Sequence, residues 1–447
     1  MKSFRRWADL PPDFLCCIGD RLELKWYASA RGVCTSWRRA LVPPSPALLV
    51  IAKSDSCYPY AAASLPTGRS FELTAFISGW RCVGSSNGWL AFSVHETVYV
   101  LLNPIAAVQI ILPPLNYGDE YNSHWDWWVS KIVCTPSTAK DDFAAAAICG
   151  IDRIAYITAG ATRWAFMGVR LSGEVGDKLT DVVYTDKGKF YCLSMYGDVH
   201  VLRLPARRCR KPANAEEAGS SELKFSVLRP LPPARHSSIV SPLCWENYQM
   251  LLMSEDEVPP SQGRRLNPPA TLKPLLPRFG PTTLFAPPYD TVRDFTSAKN
   301  LVFCDGNLYQ VWRNESCTVT LRLPAGGQRR VAENEIVVLK YCPGRQPSWD
   351  VVKDLGGYSL FVGTNNAVSM YAEGVPGLRG NCVYWIGGRA TRNKGMVFDM
   401  KSGRSTPCRA PQAGSLSGGH DYSTVCWYFM SDVINNSYNG RRQNVEE

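Results

Sequence analysis

Five histidines, His95, His124, His200, His236 and His420, are the side chains best suited to proton transfer or metal ligation near neutral pH, and they stand far apart in the chain. None belongs to a His-Glu-x-x-His pair or has a cysteine at ligand spacing, so the pattern offers no metal centre and implies no cofactor. Sixteen cysteines could in principle supply thiolates or a disulfide framework. They contain no Cys-x-x-Cys pair. Cys16 and Cys17 are adjacent and most of the others sit singly inside apolar runs, which reads as small buried hydrophobes. Asp141 and Asp142 form a carboxylate pair, but glycoside hydrolysis needs two carboxyls opposed across a cleft, which neighbours in sequence do not provide. Neither a P-loop nor a Gly-x-Gly-x-x-Gly fingerprint occurs, so nucleotide chemistry has no scaffold, and acyl transfer is not expected either.

Residue types that bind rather than react are more prominent. Tyr117, Tyr121, His124, Trp125, Trp127 and Trp128 crowd into one stretch between two strand regions. Aromatic side chains in loops bury much surface at low entropic cost, which makes Tyr121, Trp125, Trp127 and Trp128 candidate target-binding residues. Packing over strand edges is the alternative reading of the same residues. The net charge of +10 is mostly scattered; Arg207, Arg208, Arg210 and Lys211, between Pro205 and Pro212, are the one dense basic run. That run reads as a solvated loop or a nuclear-import signal, and no nucleic-acid partner is expected.

The elements that must position these residues follow from composition and pattern. At 447 residues with 45% hydrophobic and 20% charged positions, the chain is globular and long enough for two domains or one large repeat architecture. No apolar segment follows Lys2, Arg5 and Arg6 as a secretory signal requires, and no apolar run is long enough to span a bilayer. The expected location is therefore intracellular, cytoplasmic or nuclear, without membrane contact. In such a compartment a disulfide framework is not expected, and the glycosylation triplets at Asn314 and Asn435 are chance matches.

Helical periodicity is confined to the N-terminus. Pro11 and Pro12 suit a first helical turn and Asp13 its positive dipole end. Phe14, Leu15, Ile18 and Leu22 then recur at three- and four-residue spacing, with Gly19 tolerated among them. Trp26, Tyr27, Ala30 and Val33 mark a second helix; Thr35 or Ser36 can cap a third, holding Trp37, Ala40 and Leu41, before Pro43 and Pro44 end it. Three short helices bury their own apolar surface poorly, which implies a partner, or else a role as a cap on the domain that follows.

The opening Leu10-Pro11, the apolar Leu15, Ile18 and Leu22, and the closing Val33-Cys34 with Trp37-Arg38 resemble the F-box pattern. The resemblance implies docking onto the Skp-type adaptor of a cullin–RING (SCF-type) ubiquitin ligase, with Leu10, Pro11, Leu15, Ile18, Leu22, Val33 and Trp37 as adaptor-binding positions. In the middle helix the sequence departs from many F-boxes: Lys25-Trp26-Tyr27-Ala28-Ser29 stands where acidic or leucine-rich residues are usual.

From Ala47 onward the chain reads as strands and turns. A turn followed by an aromatic-bearing strand recurs at Asn87-Gly88, Lys187-Gly188, Asp305-Gly306 and Gly380-Asn381. Hairpin turns want positive φ, which Gly, Asn and Asp supply. Further strands are expected at Ser130 to Cys134, Phe143 to Gly150, Ile154 to Thr158, Trp164 to Val169, Ile336 to Tyr341, Ser359 to Gly363 and Gly395 to Phe398. Recurrence of one hairpin unit over most of the chain favours a β-propeller, whose blade number the degenerate repeat does not reveal. Cys82 to Leu90, Leu101 to Pro104 with Ile111 to Leu115, Leu355 to Gly363, and Asn381 to Tyr384 before Gly395 to Asp399 are similar to the plant F-box family with a KIB-type propeller.

The expected organisation is mainly β: an F-box module over residues 7–44, a propeller over 46–430 with loop insertions near 205–222 and 257–281, and a flexible tail over 431–447. The resemblance implies a non-catalytic adaptor that presents a target protein for ubiquitination. Two other readings stand beside it: an interaction scaffold independent of the ligase, and a propeller hydrolase.

Overall fold

The computed structural model describes residues 7–52, 60–73, 80–94, 98–115, 129–135, 143–169, 171, 176–185, 188–204, 270–275, 285–387, 394–408 and 422–430. A 3-10 turn (Trp7–Asp9) leads into α1 (Pro12–Gly19), α2 (Leu24–Val33) and α3 (Thr35–Ala40). Helix α1 starts at Pro12, with no side-chain cap. Gly19 is its last residue rather than a tolerated interior one. A Cβ at Gly19 would lie 2.5 Å from Leu41 Cδ2 and 3.2 Å from Tyr27, so the close approach of the chain after α3 demands glycine there. The expected hydroxyl cap of α3 is not used. Cys34, in extended conformation, alone separates α2 from α3, so the preceding helix delivers the chain into the third one.

Strands follow in blade order. The first blade takes β1 (Ala47–Ala52), β2 (Tyr60–Ser64) and β3 (Ser70–Leu73); the second takes β4 (Arg81–Ser86), β5 (Trp89–Ser93), β6 (Tyr99–Asn103) and β7 (Val108–Leu112). The third holds β8 (Val129–Cys134), β9 (Ala144–Cys149), β10 (Arg153–Thr158) and β11 (Ala165–Gly168), and the fourth β12 (Leu179–Thr185), β13 (Lys189–Ser194), β14 (Val199–Arg203) and β15 (Thr271–Pro274). In the fifth, β16 (Ala298–Cys304) and β17 (Asn307–Arg313) precede a separate hairpin of β18 (Val319–Arg322) and β19 (Gln328–Val331), after which come β20 (Ile336–Tyr341) and β21 (Trp349–Val352). The sixth comprises β22 (Tyr358–Phe361), β23 (Val368–Tyr371), β24 (Cys382–Ile386), β25 (Gly395–Asp399) and β26 (Arg404–Pro407). Finally β27 (Tyr422–Tyr428) pairs antiparallel with β1 and becomes the inner strand of the first blade, closing a six-bladed propeller.

The recurring sequence unit maps onto the first hairpins of blades two, four and five. Asn87-Gly88 and Asp305-Gly306 both adopt positive φ, as a tight twisted hairpin requires. Gly380-Asn381 is different. It leads β24 into parallel pairing with β22 rather than closing a hairpin, because β22 already pairs with β23 on its other side. Many strands are buried along their whole length, such as β5 and β9. Each blade is covered on both faces by its neighbours, which replaces polar–apolar alternation with continuous apolar runs.

Residues 362–367, between β22 and β23, cross the propeller axis. The Asn366 backbone N–H donates to Ser85 O at 2.6 Å, Thr364 Oγ1 to Val425 O at 3.2 Å, and Tyr184 N–H to Asn366 Oδ1 at 2.8 Å. Beside this segment Lys131 Nζ donates to Asp181 Oδ1 at 2.5 Å and to Gly363 O at 3.0 Å. Asp181 also accepts from Val182 N–H at 2.8 Å, Leu301 N–H at 2.7 Å and Asn300 Nδ2 at 3.4 Å. Burial pushes its carboxyl up, and the Lys131 ammonium and these donors pull it back. The buried pair thereby ties blades three, four, five and six together.

Candidate functional site

The helical module is mounted on the first blade through a shared core. Leu15, Leu24, Tyr27, Ala30, Trp37 and Leu41 pack in one cluster with Leu49, Tyr60, Phe71 and Tyr428. The propeller thus supplies much of the burial that three short helices could not supply for themselves. The Tyr27 and Phe71 rings meet at 5.5 Å between centroids. Arg69, at the entry to β3, reaches across the junction. Its guanidinium donates to Gly19 O at 2.7 Å, Asp20 O at 2.7 Å and Leu22 O at 3.2 Å, carbonyls at and just past the end of α1. The same cation lies 4.7 Å from the Phe71 ring and 5.6 Å from that of Tyr27.

Tyr27 also donates its hydroxyl to Val42 O at 2.8 Å, and Arg31 Nε donates to Leu41 O at 3.0 Å, which fixes the path from α3 into β1. Burial pushes the Tyr27 phenol up, against the pull of Arg31 and Arg69, so it remains a neutral donor. The Cys16 thiol is likewise pushed up, first by burial and then by Asp20 and Asp13. Cys16 and Cys17 are exposed, unlike the buried cysteines of the blades such as Cys82, Cys134, Cys192 and Cys426.

The module's outward side carries large apolar side chains among charged ones. Trp7 is 71% exposed, Phe14 64%, Val33 63% and Trp26 56%, and they are the four most exposed large hydrophobic side chains among the described residues. Four such side chains exposed on one module of about 35 residues are more than scattered surface hydrophobics and suit a contact surface. Pro11 lies on the exposed side, and Leu10, Ile18 and Leu22 are half-buried at its margin. Leu15 and Trp37 point the other way, at 1% and 9% exposure, and serve the shared core rather than a contact surface. Trp37 Nε1 donates to Trp7 O at 3.1 Å, so it acts by holding the 3-10 turn that displays Trp7. Helical spacing placed Phe14 and Leu15 in one stripe. Only the blade beneath them decides that Leu15 faces inward and Phe14 outward.

Tyr121, Trp125, Trp127 and Trp128 lie outside the described residues, as does the basic run of Arg207 to Lys211. Among the described residues no group of His, Cys, Asp or Glu is placed to hold a metal ion. Gly84-Ser85-Ser86-Asn87-Gly88 fits the Gly-x-Ser-x-Gly letters of a nucleophile elbow, a match that sequence reading passed over. Here it is strand β4 and its hairpin turn. Ser86 is buried with its Oγ accepting from Cys134 N–H at 3.1 Å, and a Cβ at Gly84 would lie 1.9 Å from Ile132 O, so the motif seals blades two and three together.

A family model described as KIB1-4 beta-propeller matches residues 62–406. An F-box/kelch-repeat protein of Arabidopsis thaliana is 27% identical over 238 residues, covering 49% of this chain and 64% of its own length. The chain therefore spans less than two thirds of that relative.

Proposed function

This chain belongs to the KIB1-4 β-propeller family, and we propose that it is a non-catalytic substrate-recognition subunit of an SCF-type ubiquitin ligase. The helical module binds the Skp-type adaptor, and through it the cullin–RING core, while the propeller holds a target protein. The observation that carries this reading is the concentration of exposed Trp7, Phe14, Trp26 and Val33 on one small helical module. The name of the Arabidopsis relative, which includes the term F-box, supports it.

Phe14 and Val33, with Pro11 and the half-buried Leu10, Ile18 and Leu22 at their edge, form the adaptor contact. Leu15 and Trp37 support it from beneath. In a pull-down with a purified Skp-type adaptor the wild-type chain is captured. Phe14→Ala combined with Val33→Ala weakens capture, each buried interface anchor being worth about 2 kcal/mol or more when truncated. These two side chains are exposed, so the double variant keeps the wild-type melting temperature. Failure of the wild-type chain to bind sinks the proposal, and undiminished capture of the variant moves the contact elsewhere on the module.

A further inference from the structure

The hairpin of β18 and β19 is an addition to the fifth blade that the ring does not need. Its register pairs Val319 with Val331, Thr320 with Arg330, Leu321 with Arg329 and Arg322 with Gln328. One face is apolar: Leu321 and Val331 are buried against Val292, with Tyr289 and Val319 beside them. The other face presents Thr320, Arg322, Gln328 and Arg330 to solvent. Among the described residues neither strand has a second partner, so each has an open edge of backbone donors and acceptors.

Charge on this element is distributed unevenly. Arg313 pairs with Glu315 and Arg329 with Glu335, yet among the described residues Arg322 and Arg330 have no carboxylate within ion-pair distance. They are diagonal neighbours on the exposed face, where two like charges repel unless an anion lies between them. Next to Arg322, the hairpin turn and the helical turn of Tyr289–Val292 border an open cleft of about 270 Å³ lined by Pro287, Pro288, Asp290, Leu323, Pro324 and Ala325. Asp290 is the charged member of that lining, and its Oδ1 is already engaged by Thr291 N–H at 2.8 Å.

Both walls are held in place from below. Asn314 is buried, and its Nδ2 donates to Cys317 O and to Ala332 O, each at 3.1 Å, so the residue that spells a glycosylation triplet instead anchors the hairpin base. Buried Lys299 donates to Arg293 O and to Thr296 O, each at 2.7 Å, and so fixes to β16 the 3-10 turn (Arg293–Phe295) that directly follows the helical turn. The position on the molecule follows from strand alternation. The module enters the first blade where the inner strand passes to the second, whereas the hairpin joins the second strand of its blade to the third. Since blades are related by rotation about one axis, these two connections lie on opposite faces of the propeller.

We infer that this hairpin and its cleft form a docking site for an extended acidic peptide, which adds a strand to the hairpin edge, sets carboxylates over Arg322 and Arg330, and seats one apolar side chain in the cleft. An open strand edge supplies main-chain pairing, and the apolar cleft and the cationic face supply selectivity. Nucleic acid would use the arginines but neither the edge nor the cleft. If the chain is a ligase receptor, this is where its target binds, on the face turned away from the adaptor; that last step alone rests on the function proposed above.

The test pans the full-length chain against a phage-displayed library of random peptides and measures the enriched peptides by fluorescence anisotropy. Enrichment of Asp and Glu near a single apolar residue is expected, with affinity falling as salt rises. Arg322→Glu with Arg330→Glu weakens binding about tenfold or more, and Ala325→Trp, which fills the cleft, weakens it independently. All three positions are exposed, so unchanged melting temperatures confirm that the variants fold. Absence of enriched peptides, enrichment without acidic residues, affinities in the variants within twofold of wild type, or displacement by a single-stranded oligonucleotide overturns the inference. Adaptor capture by the arginine variant separates the two proposals: it is retained if both hold, and its loss in the wild-type chain condemns the receptor function while leaving the peptide site intact.

Discussion

Asp181 is fully buried at the axis, and its two oxygens accept from Lys131, Val182, Leu301 and Asn300. Removing one member of a buried, satisfied ion pair leaves the other uncompensated in low dielectric, at a cost of about 3–5 kcal/mol. Asp181→Asn therefore lowers stability by about that amount, and adding Lys131→Met to it restores part of the loss. A denaturant titration of the two single variants and the double variant checks this; additive losses would show that the pair does not act as a unit. Nothing near Asp181 in the sequence announces its partners on other blades, because Lys131 lies 50 residues away and Leu301 lies 120. The same holds at Ser86, whose letters spell a catalytic motif while its oxygen caps a neighbouring blade. Local spelling reports what a residue is able to do. Burial and partners decide what it does.

Elements were far more legible than residue roles. The run Ala47 to Ala52 and the stretch Ile336 to Tyr341 are strands over those same residues, and α1 begins at Pro12 as expected but ends at Gly19, short of Leu22. Such features are written by neighbours in sequence, so periodicity and turn chemistry reach them. The departures occur where an element answers to something distant: Gly380-Asn381 feeds a parallel pair, and Gly19 yields to the packing of Leu41. How the module joins the propeller was equally invisible, since Arg69 contributes from a loop of the first blade. Arg69→Ala removes three hydrogen bonds to the end of α1 and two ring contacts. Charge-assisted bonds of this kind contribute about 1.5–3 kcal/mol each. The expected result is faster amide hydrogen exchange in α1 and α2 with the blades unaffected. Unchanged exchange in the helices would show that the shared apolar core alone holds the module.

At the scale of the whole molecule, ring closure rests on one long-range pairing, that of β27 with β1. A chain ended at residue 421 loses Cys426, Trp427, Tyr428 and Phe429, all buried in the closure between the first blade and its neighbours. Deleting large core side chains costs about 3–5 kcal/mol apiece, against a total folding stability of about 5–15 kcal/mol for a typical domain. That truncated chain is expected to show no cooperative thermal transition by circular dichroism; melting near the wild-type temperature would mean that the ring closes by other means. By itself the sequence determined the division into a helical start and a β-rich remainder, the propeller architecture and the family resemblance, because periodicity, turn residues and motif order are local and repeat along the chain. The tertiary structure alone decided the six blades, the segment that crosses the axis, which apolar residues of the helical module face outward, and the pairing of an apolar cleft with two unopposed arginines. Each of these depends on which distant segment covers a given side chain, and a linear pattern does not carry that.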